Sequence, residues 1–144
     1  LRTPIMIRWP GHVKPARSDS LAMSIDLAPT LLAAAKLKPT SQMPGINLLD
    51  SKAVADRKAI FGECFTHNSN DLNNPAASLR GRWMINGHWK LIAPDTKNEP
   101  ASHVELYDLT ADPFEKHNLA ADEAKRVESM REQMNKWWSG EKER

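Results

Sequence analysis

The run Glu105-Leu106-Tyr107-Asp108-Leu109-Thr110-Ala111-Asp112-Pro113-Phe114-Glu115-Lys116-His117-Asn118-Leu119-Ala120 constrains the fold of this chain more than any other stretch. Leu106 and Asp108 alternate with Tyr107 and Leu109, the period-2 pattern of a strand end. Asp112-Pro113 stops that strand, because proline fixes φ and brings no N–H to a ladder. Asn118 and Asp122 are of the types that start helices. Beyond them Val127, Met130, Met134, Trp137 and Trp138 form one apolar stripe, with Glu128, Arg131, Glu132 and Lys136 on the other faces. The pattern predicts a strand over 103–109, a sharp break, and a closing helix over 122–138.

More strands lie upstream. Asn86-Gly87 is the preferred centre of a type I′ turn, so Ser78–Ile85 and His88–Ala93 read as a β-hairpin. Ala59–Phe65 reads as a further strand. Thr66–Ala77, rich in Asn, Ser, Asp and Pro, is a loop of roughly a dozen residues, a length most often functional or disordered. Pro39–Asp56 is loop-like, with a turn at Pro44-Gly45.

The first third has a different character. Pro4–Trp9 is apolar and β-branched enough for a buried strand, closed by Pro10-Gly11. Leu21, Ile25, Leu27, Leu31, Leu32 and Ala35 then repeat at helical spacing. Ser24 or Asp26 would cap this helix, Pro29 suits an early turn, and Lys36, Lys38 and Pro39 mark its end. Residues 1–58 thus read as a strand and helix from the edge of an α/β sheet. Residues 59–144 read as an α+β unit, a small antiparallel sheet of about four strands packed by one helix. One strand and one helix cannot bury their apolar faces without a wider sheet. Ile5, Ile7 and the Leu27/Leu31/Leu32 face therefore call for partners outside these residues, or for self-association or segment exchange between copies. The opening Leu1-Arg2-Thr3-Pro4, at the lip of a strand, suits a piece of a longer protein.

Composition excludes several functions. Net charge is +2, from 20 basic and 18 acidic residues, with no basic block interleaved with aromatics, so no nucleic-acid partner is expected. Apolar runs such as Leu31–Ala35 fall far short of the ~20 residues that span a bilayer, so no membrane partner is expected. The single cysteine, Cys64, has no partner for an internal disulfide and no neighbouring Cys or His for zinc.

The string E-L-Y-D-L-x-x-D-P-x-E-x-x-N-L-A resembles the C-terminal signature of the type I, formylglycine-dependent sulfatases. Arg2–Gly11 is similar to that family's R-x-P-strand-P-G segment, and Ser24–Leu32 to its I-D-L-x-P-T-L-L helix. Gly45-Ile46-Asn47-Leu48-Leu49 resembles its G-x-x-L-L element, and Trp89-Lys90-Leu91-Ile92 its K-L-I strand. The resemblance covers nearly the whole chain. It implies that 1–58 is the tail end of an alkaline-phosphatase-like α/β catalytic domain and 59–144 the C-terminal subdomain. For the parent protein it implies hydrolysis of sulfate esters of carbohydrates or aryl alcohols, with a calcium ion, a formylglycine nucleophile, and a periplasmic or secreted location.

The residues that perform this chemistry are absent. No C-x-P-x-R or S-x-P-x-R occurs, and Cys64 is followed by Phe65-Thr66-His67. No acidic pair ends an apolar strand as the family's metal ligands do, and Asn70-Asp71 sits in a polar loop. The family's sulfate-binding lysine belongs to a run preceding the R-x-P segment. No catalytic residue, metal ligand or cofactor is therefore expected here, and the expected partner is the remainder of the sulfatase domain. The alternative is a non-catalytic α+β interaction module, which a C/S-x-P-x-R segment upstream would exclude.

Three residues are candidates for touching substrate. His67, in the long loop, can hydrogen-bond a sugar hydroxyl or an anionic group. Arg80 offers a guanidinium fork for sulfate or carboxylate, and equally a surface salt bridge. Glu63, at a strand end, can accept from hydroxyls or pair with an arginine. Trp137 and Trp138 would be a carbohydrate platform only if exposed, and helical spacing with Met134 favours core for Trp137.

Overall fold

Four strands follow one another across a single antiparallel sheet in the computed structural model, which describes residues 3–140. They are β1 (Ala59–Phe65), β2 (Leu79–Asn86), β3 (Trp89–Pro94) and β4 (Glu105–Asp108). Arg2 of the Arg2–Gly11 segment and the end of the expected second unit, 141–144, lie outside the described residues. The chain divides into two compact units, Leu1–Lys58 and Ala59–Arg144.

In the second unit the register aligns Phe61 with Met84, Met84 with Leu91, and Leu91 with Leu106, which puts these side chains on one face. Helix α3 (Ala124–Trp137) lays Met130 and Met134 on that face. Met84, Leu91, Leu106 and Met134 are sealed from solvent, each worth about 1.5–3 kcal/mol relative to exposure. Polar contacts set the helix along the sheet. The Arg126 guanidinium lies 4.1 Å from the centre of the Trp89 ring, and Asn86 Nδ2 donates to Gln133 Oε1 at 3.0 Å. On the opposite face the Trp83 indole covers Gly62, where a Cβ would come within 2.4 Å of the ring.

The hairpin forms, one residue along from its expected centre. Asn86 pairs with Trp89, so the two-residue connection is Gly87-His88. Gly87 alone has positive φ, +59°, which fits a type II′ turn with glycine first; type I′ would need positive φ at both positions.

The run that follows β4 is held by its own polar side chains. Asp108 Oδ1 accepts from the amides of Thr110 and Ala111 at 2.9 and 3.2 Å. Asp112 Oδ2 accepts from Lys116 and His117 amides at 2.6 and 2.8 Å. Glu115, at φ +57°, meets Lys90 Nζ at 2.5 Å. Asn118, expected from its type to start the helix, does not do so. Its Oδ1 accepts from the Leu106 and Ala120 amides at 3.0 and 2.9 Å, and its Nδ2 donates to the Val104 carbonyl at 3.0 Å. The Leu119 amide adds a bond to the Leu106 carbonyl at 2.8 Å, so the run folds back to close the outer edge of β4. Asp122 is likewise no cap; α3 begins after Glu123. Asn118→Ala should therefore cost about 2 kcal/mol in denaturant unfolding and speed amide exchange at Leu106. Unaltered exchange there would show that the latch contributes nothing.

The first unit departs further from expectation. Residues 4–9 form no strand: among the described residues none pairs with them in a ladder, and a lone extended segment has nothing to bond to. A single 3-10 turn, Ser24–Asp26, leads into α1 (Leu27–Ala34). The Leu37 amide bonds the Leu32 carbonyl at 2.8 Å and the Lys36 amide that of Ala33 at 3.0 Å, with Lys36 at φ +60°. That is a Schellman ending with lysine where glycine is usual. The stretch read as loop contains α2 (Ser51–Asp56), whose start is capped by Asp50 Oδ1 accepting from Lys52 and Ala53 amides at 2.9 and 3.1 Å.

Asp26 organises this unit. Its side chain is fully buried and caps no amide of α1. It accepts from Met23 N at 2.7 Å, Ile46 N at 2.9 Å, and both terminal nitrogens of Arg57 at 2.5 and 2.7 Å. Thr30, one turn on, donates to the Asp26 carbonyl at 2.6 Å and accepts from Leu48 N at 2.8 Å. Gly45 packs so closely that a Cβ would sit 2.1 Å from the Ile25 carbonyl oxygen. α1 thus buries Pro29 and Thr30 while leaving Leu27 42% and Leu31 69% exposed.

Candidate functional site

The loop between β1 and β2 is a long polar connection, residues 66–78, and its base is tied down. The pair opens with a register shift between Cys64 and Phe65, after which Thr66 N donates to the Ser78 carbonyl at 2.8 Å. Ser78 is buried, and its hydroxyl accepts from Asn70 N at 2.7 Å. Asn70 Nδ2 donates to the Ala77 carbonyl at 2.8 Å. A 3-10 turn, Pro75–Ser78, returns the chain to β2, and Asn98 Nδ2 reaches in to the Leu79 carbonyl at 2.8 Å. A loop so anchored holds its exposed side chains on a rigid sheet, the setting in which recognition residues concentrate.

His67 lies exposed in this loop, its Nδ1 3.1 Å from Asn68 Oδ1. Glu63 is exposed on β1, opposite Arg82 in register. Arg80, near the register shift, directs its Nε to Glu99, and that hydrogen bond raises its pKa further. All three candidates belong to the same end of the β1–β2 pair. Among the described residues no hydrogen bond or ion pair joins any of the three to another. Arg80 is committed to a surface salt bridge. His67 and Glu63 are exposed, with His67 Nδ1 against its neighbour Asn68. In the same loop Asn74 Oδ1 is buried without a hydrogen-bond partner among the described residues.

Sequence reasoning missed the supports of this loop. Ser78 reads as an ordinary strand residue and Asn98 as a turn residue; both act across distances that spacing does not reveal. Trp137 is 42% exposed and stacks on Phe61 at 5.3 Å, so it is a partly open ring where a core position was favoured.

The residues present do not fit the cation or the modified nucleophile that the resemblance implies. Cys64 is exposed at the end of β1 and its neighbours lack the modification pattern. Asp71 Oδ1 is taken by the Asn73 amide at 2.8 Å. Among the described residues no group of three or more His, Cys, Asp or Glu side chains converges.

Comparison with known proteins matches residues 1–141 to the family described as N-sulphoglucosamine sulphohydrolase, C-terminal. An N-acetylgalactosamine-6-O-sulfatase of Bacteroides thetaiotaomicron is 33% identical over 147 residues, covering 91% of this chain and 26% of that protein. Human arylsulfatase A is 31% identical over 135 residues, covering 83% of this chain and 26% of that protein. A solved B. thetaiotaomicron chain, reported in a study of the metabolism of multiple glycosaminoglycans, superposes with a TM-score of 0.71 at 21% identity. That match covers 92% of this chain and 30% of the other. The chain thus spans about a quarter of the length of the curated relatives it matches.

Proposed function

Because the chain belongs to the sulfatase family, as its C-terminal portion, we propose that it serves as the recognition and closing subdomain of a sulfate ester hydrolase. The nucleophile, cation and sulfate-binding lysine of that enzyme would be supplied by residues other than these. In this reading 1–58 is the tail end of the α/β catalytic domain. The support is α1, which turns Pro29 and Thr30 inward and Leu27 and Leu31 outward. A helix with exposed leucines gains its stability from a surface outside its own unit. The substrate class that fits is a sulfated carbohydrate, by analogy with the B. thetaiotaomicron relative, or an aryl sulfate, by analogy with arylsulfatase A. From the tendency of the family we further propose an exported enzyme that uses calcium and formylglycine; separately, no described helix is long and apolar enough to cross a membrane.

Within that enzyme the anchored Thr66–Ala77 loop contacts the substrate, with His67 as its donor or acceptor and Glu63 and Arg80 at its flank. The observation that carries this is a loop pinned at Ser78 with its histidine left exposed. Two measurements test it. The 144-residue chain alone should not hydrolyse an aryl sulfate in the presence of calcium. In the complete enzyme, His67→Ala should raise KM for a sulfated sugar about tenfold with an unchanged melting temperature. Turnover by the chain alone that vanishes on mutating one of its residues would overturn the first claim. An unaltered KM would remove His67 from the site.

A further inference from the structure

Arg82 and Arg131 line one cleft of about 210 Å³ on the helix side of the sheet, together with Thr96, Asn135, Leu79 and Asp95. The fold forces the two cations together. Arg82 is on β2, on the face that α3 covers, two residues before Met84. Arg131 follows Met130 on the helix packed over that face. Neither guanidinium makes an ion pair among the described residues. Arg82 spends one terminal nitrogen on the Trp138 carbonyl, at the end of α3. Asp95 offsets the pair only in part: its single carboxylate favours the charged Arg82, faces two cations, and has its Oδ1 held by the Lys97 and Asn98 amides at 3.0 and 2.9 Å. Burial and then the nearby Arg131 charge lower the Arg82 pKa by more than the Asp95 carboxylate raises it.

We propose that this cleft binds a sulfate group between the Arg82 and Arg131 guanidinium forks. Planar guanidinium groups match such oxygens with paired, charge-assisted hydrogen bonds. Thr96 and Asn135 add neutral donors at the rim. The volume is below the roughly 300–1,000 Å³ of pockets that enclose drug-sized ligands, so a single anionic group fits better than a whole sugar. The group's source is either free sulfate or a sulfate ester carried on a glycan.

The test is a titration of the full chain with inorganic sulfate at constant ionic strength, following the arginine side-chain N–H resonances. Saturable, millimolar binding is expected, weakened about tenfold in Arg131→Gln. Arg131 is exposed, so this change should leave the fold intact. Lys136→Gln, on the same helix and outside the cleft, should bind sulfate as the parent chain does. No saturable binding, or equal weakening by Lys136→Gln, overturns the proposal in favour of diffuse charge screening. A parallel titration with N-acetylgalactosamine 6-sulfate separates the sources. Tighter binding than inorganic sulfate assigns the cleft to a glycan ester, and equal binding assigns it to the free ion. His67→Ala should change neither titration, so this cleft and the β1–β2 loop stand or fall separately.

Discussion

Asp26→Asn is expected to destabilise the first unit by about 3–5 kcal/mol, a large part of the ~5–15 kcal/mol that holds a typical domain together. The substitution is nearly isosteric, so the loss is electrostatic. Asparagine would leave the largely buried Arg57 guanidinium without its carboxylate, and its NH₂ would face donors at Met23 N or Ile46 N. Amide exchange at Met23 and Ile46 reads the damage locally, and a wild-type rate at both would sink the claim. The double variant Asp26→Leu, Arg57→Met should recover much of the loss, since an apolar pair can replace a buried ion pair once neither charge is orphaned. Acid should act in the same direction. Burial alone would push the Asp26 carboxyl up, but hydrogen bonds from Arg57, Ile46 N and Met23 N together outweigh it and hold the pKa below 3.8. The unfolded chain then binds this proton more readily than the folded one. The stabilisation is complete above the ordinary aspartate range and is lost as pH falls through the lower, folded value. In Asp26→Asn that part of the acid dependence should vanish.

Met134→Asp should cost the second unit more than about 4 kcal/mol and abolish cooperative unfolding of residues 59–140. Met134 has no exposed surface and packs in one cluster with Met84, Leu91, Leu106 and Met130. A carboxylate at its place would have no cationic partner within that apolar cluster. Met134→Leu keeps the volume and the apolar character, and should cost less than about 1.5 kcal/mol. The contrast between the two variants, measured as denaturant midpoints, separates burial of charge from loss of shape. Equal midpoints would mean that α3 does not close the core.

Local pattern was enough for the second unit. β1 runs over the residues its composition indicates, and α3 is short of expectation only at its ends. Those elements declare themselves because their apolar period and their contacts are near in sequence. The hairpin was legible but shifted, since an Asn-Gly pair reports a turn without reporting how far the ladder runs into it. What could not be read is long-range. Asp26 looks like a helix cap from its neighbours alone, yet its strongest partner is Arg57, on the far side of the Gly45–Asp56 stretch. Asn118 looks like a helix start, yet it completes the edge of a strand. Pro4–Trp9 has the composition of a strand and forms none, because pairing is a property of two segments. For the candidate site, His67 was visible as a loop histidine. The Ser78 and Asn98 contacts that make the loop a fixed platform were not.

The order of the strands also governs how the second unit is assembled. Sheet order is chain order, so every strand pairs with the strand that precedes or follows it. Each pairing closes a short loop, and the entropy of closure grows with loop length. The Gly87-His88 turn can zip first, β1 and β4 can add on either side, and α3 arrives last to cover Met84, Leu91 and Leu106. Low contact order of this kind goes with rapid folding. During synthesis such a unit can finish folding in one local step as soon as its own residues have left the ribosome.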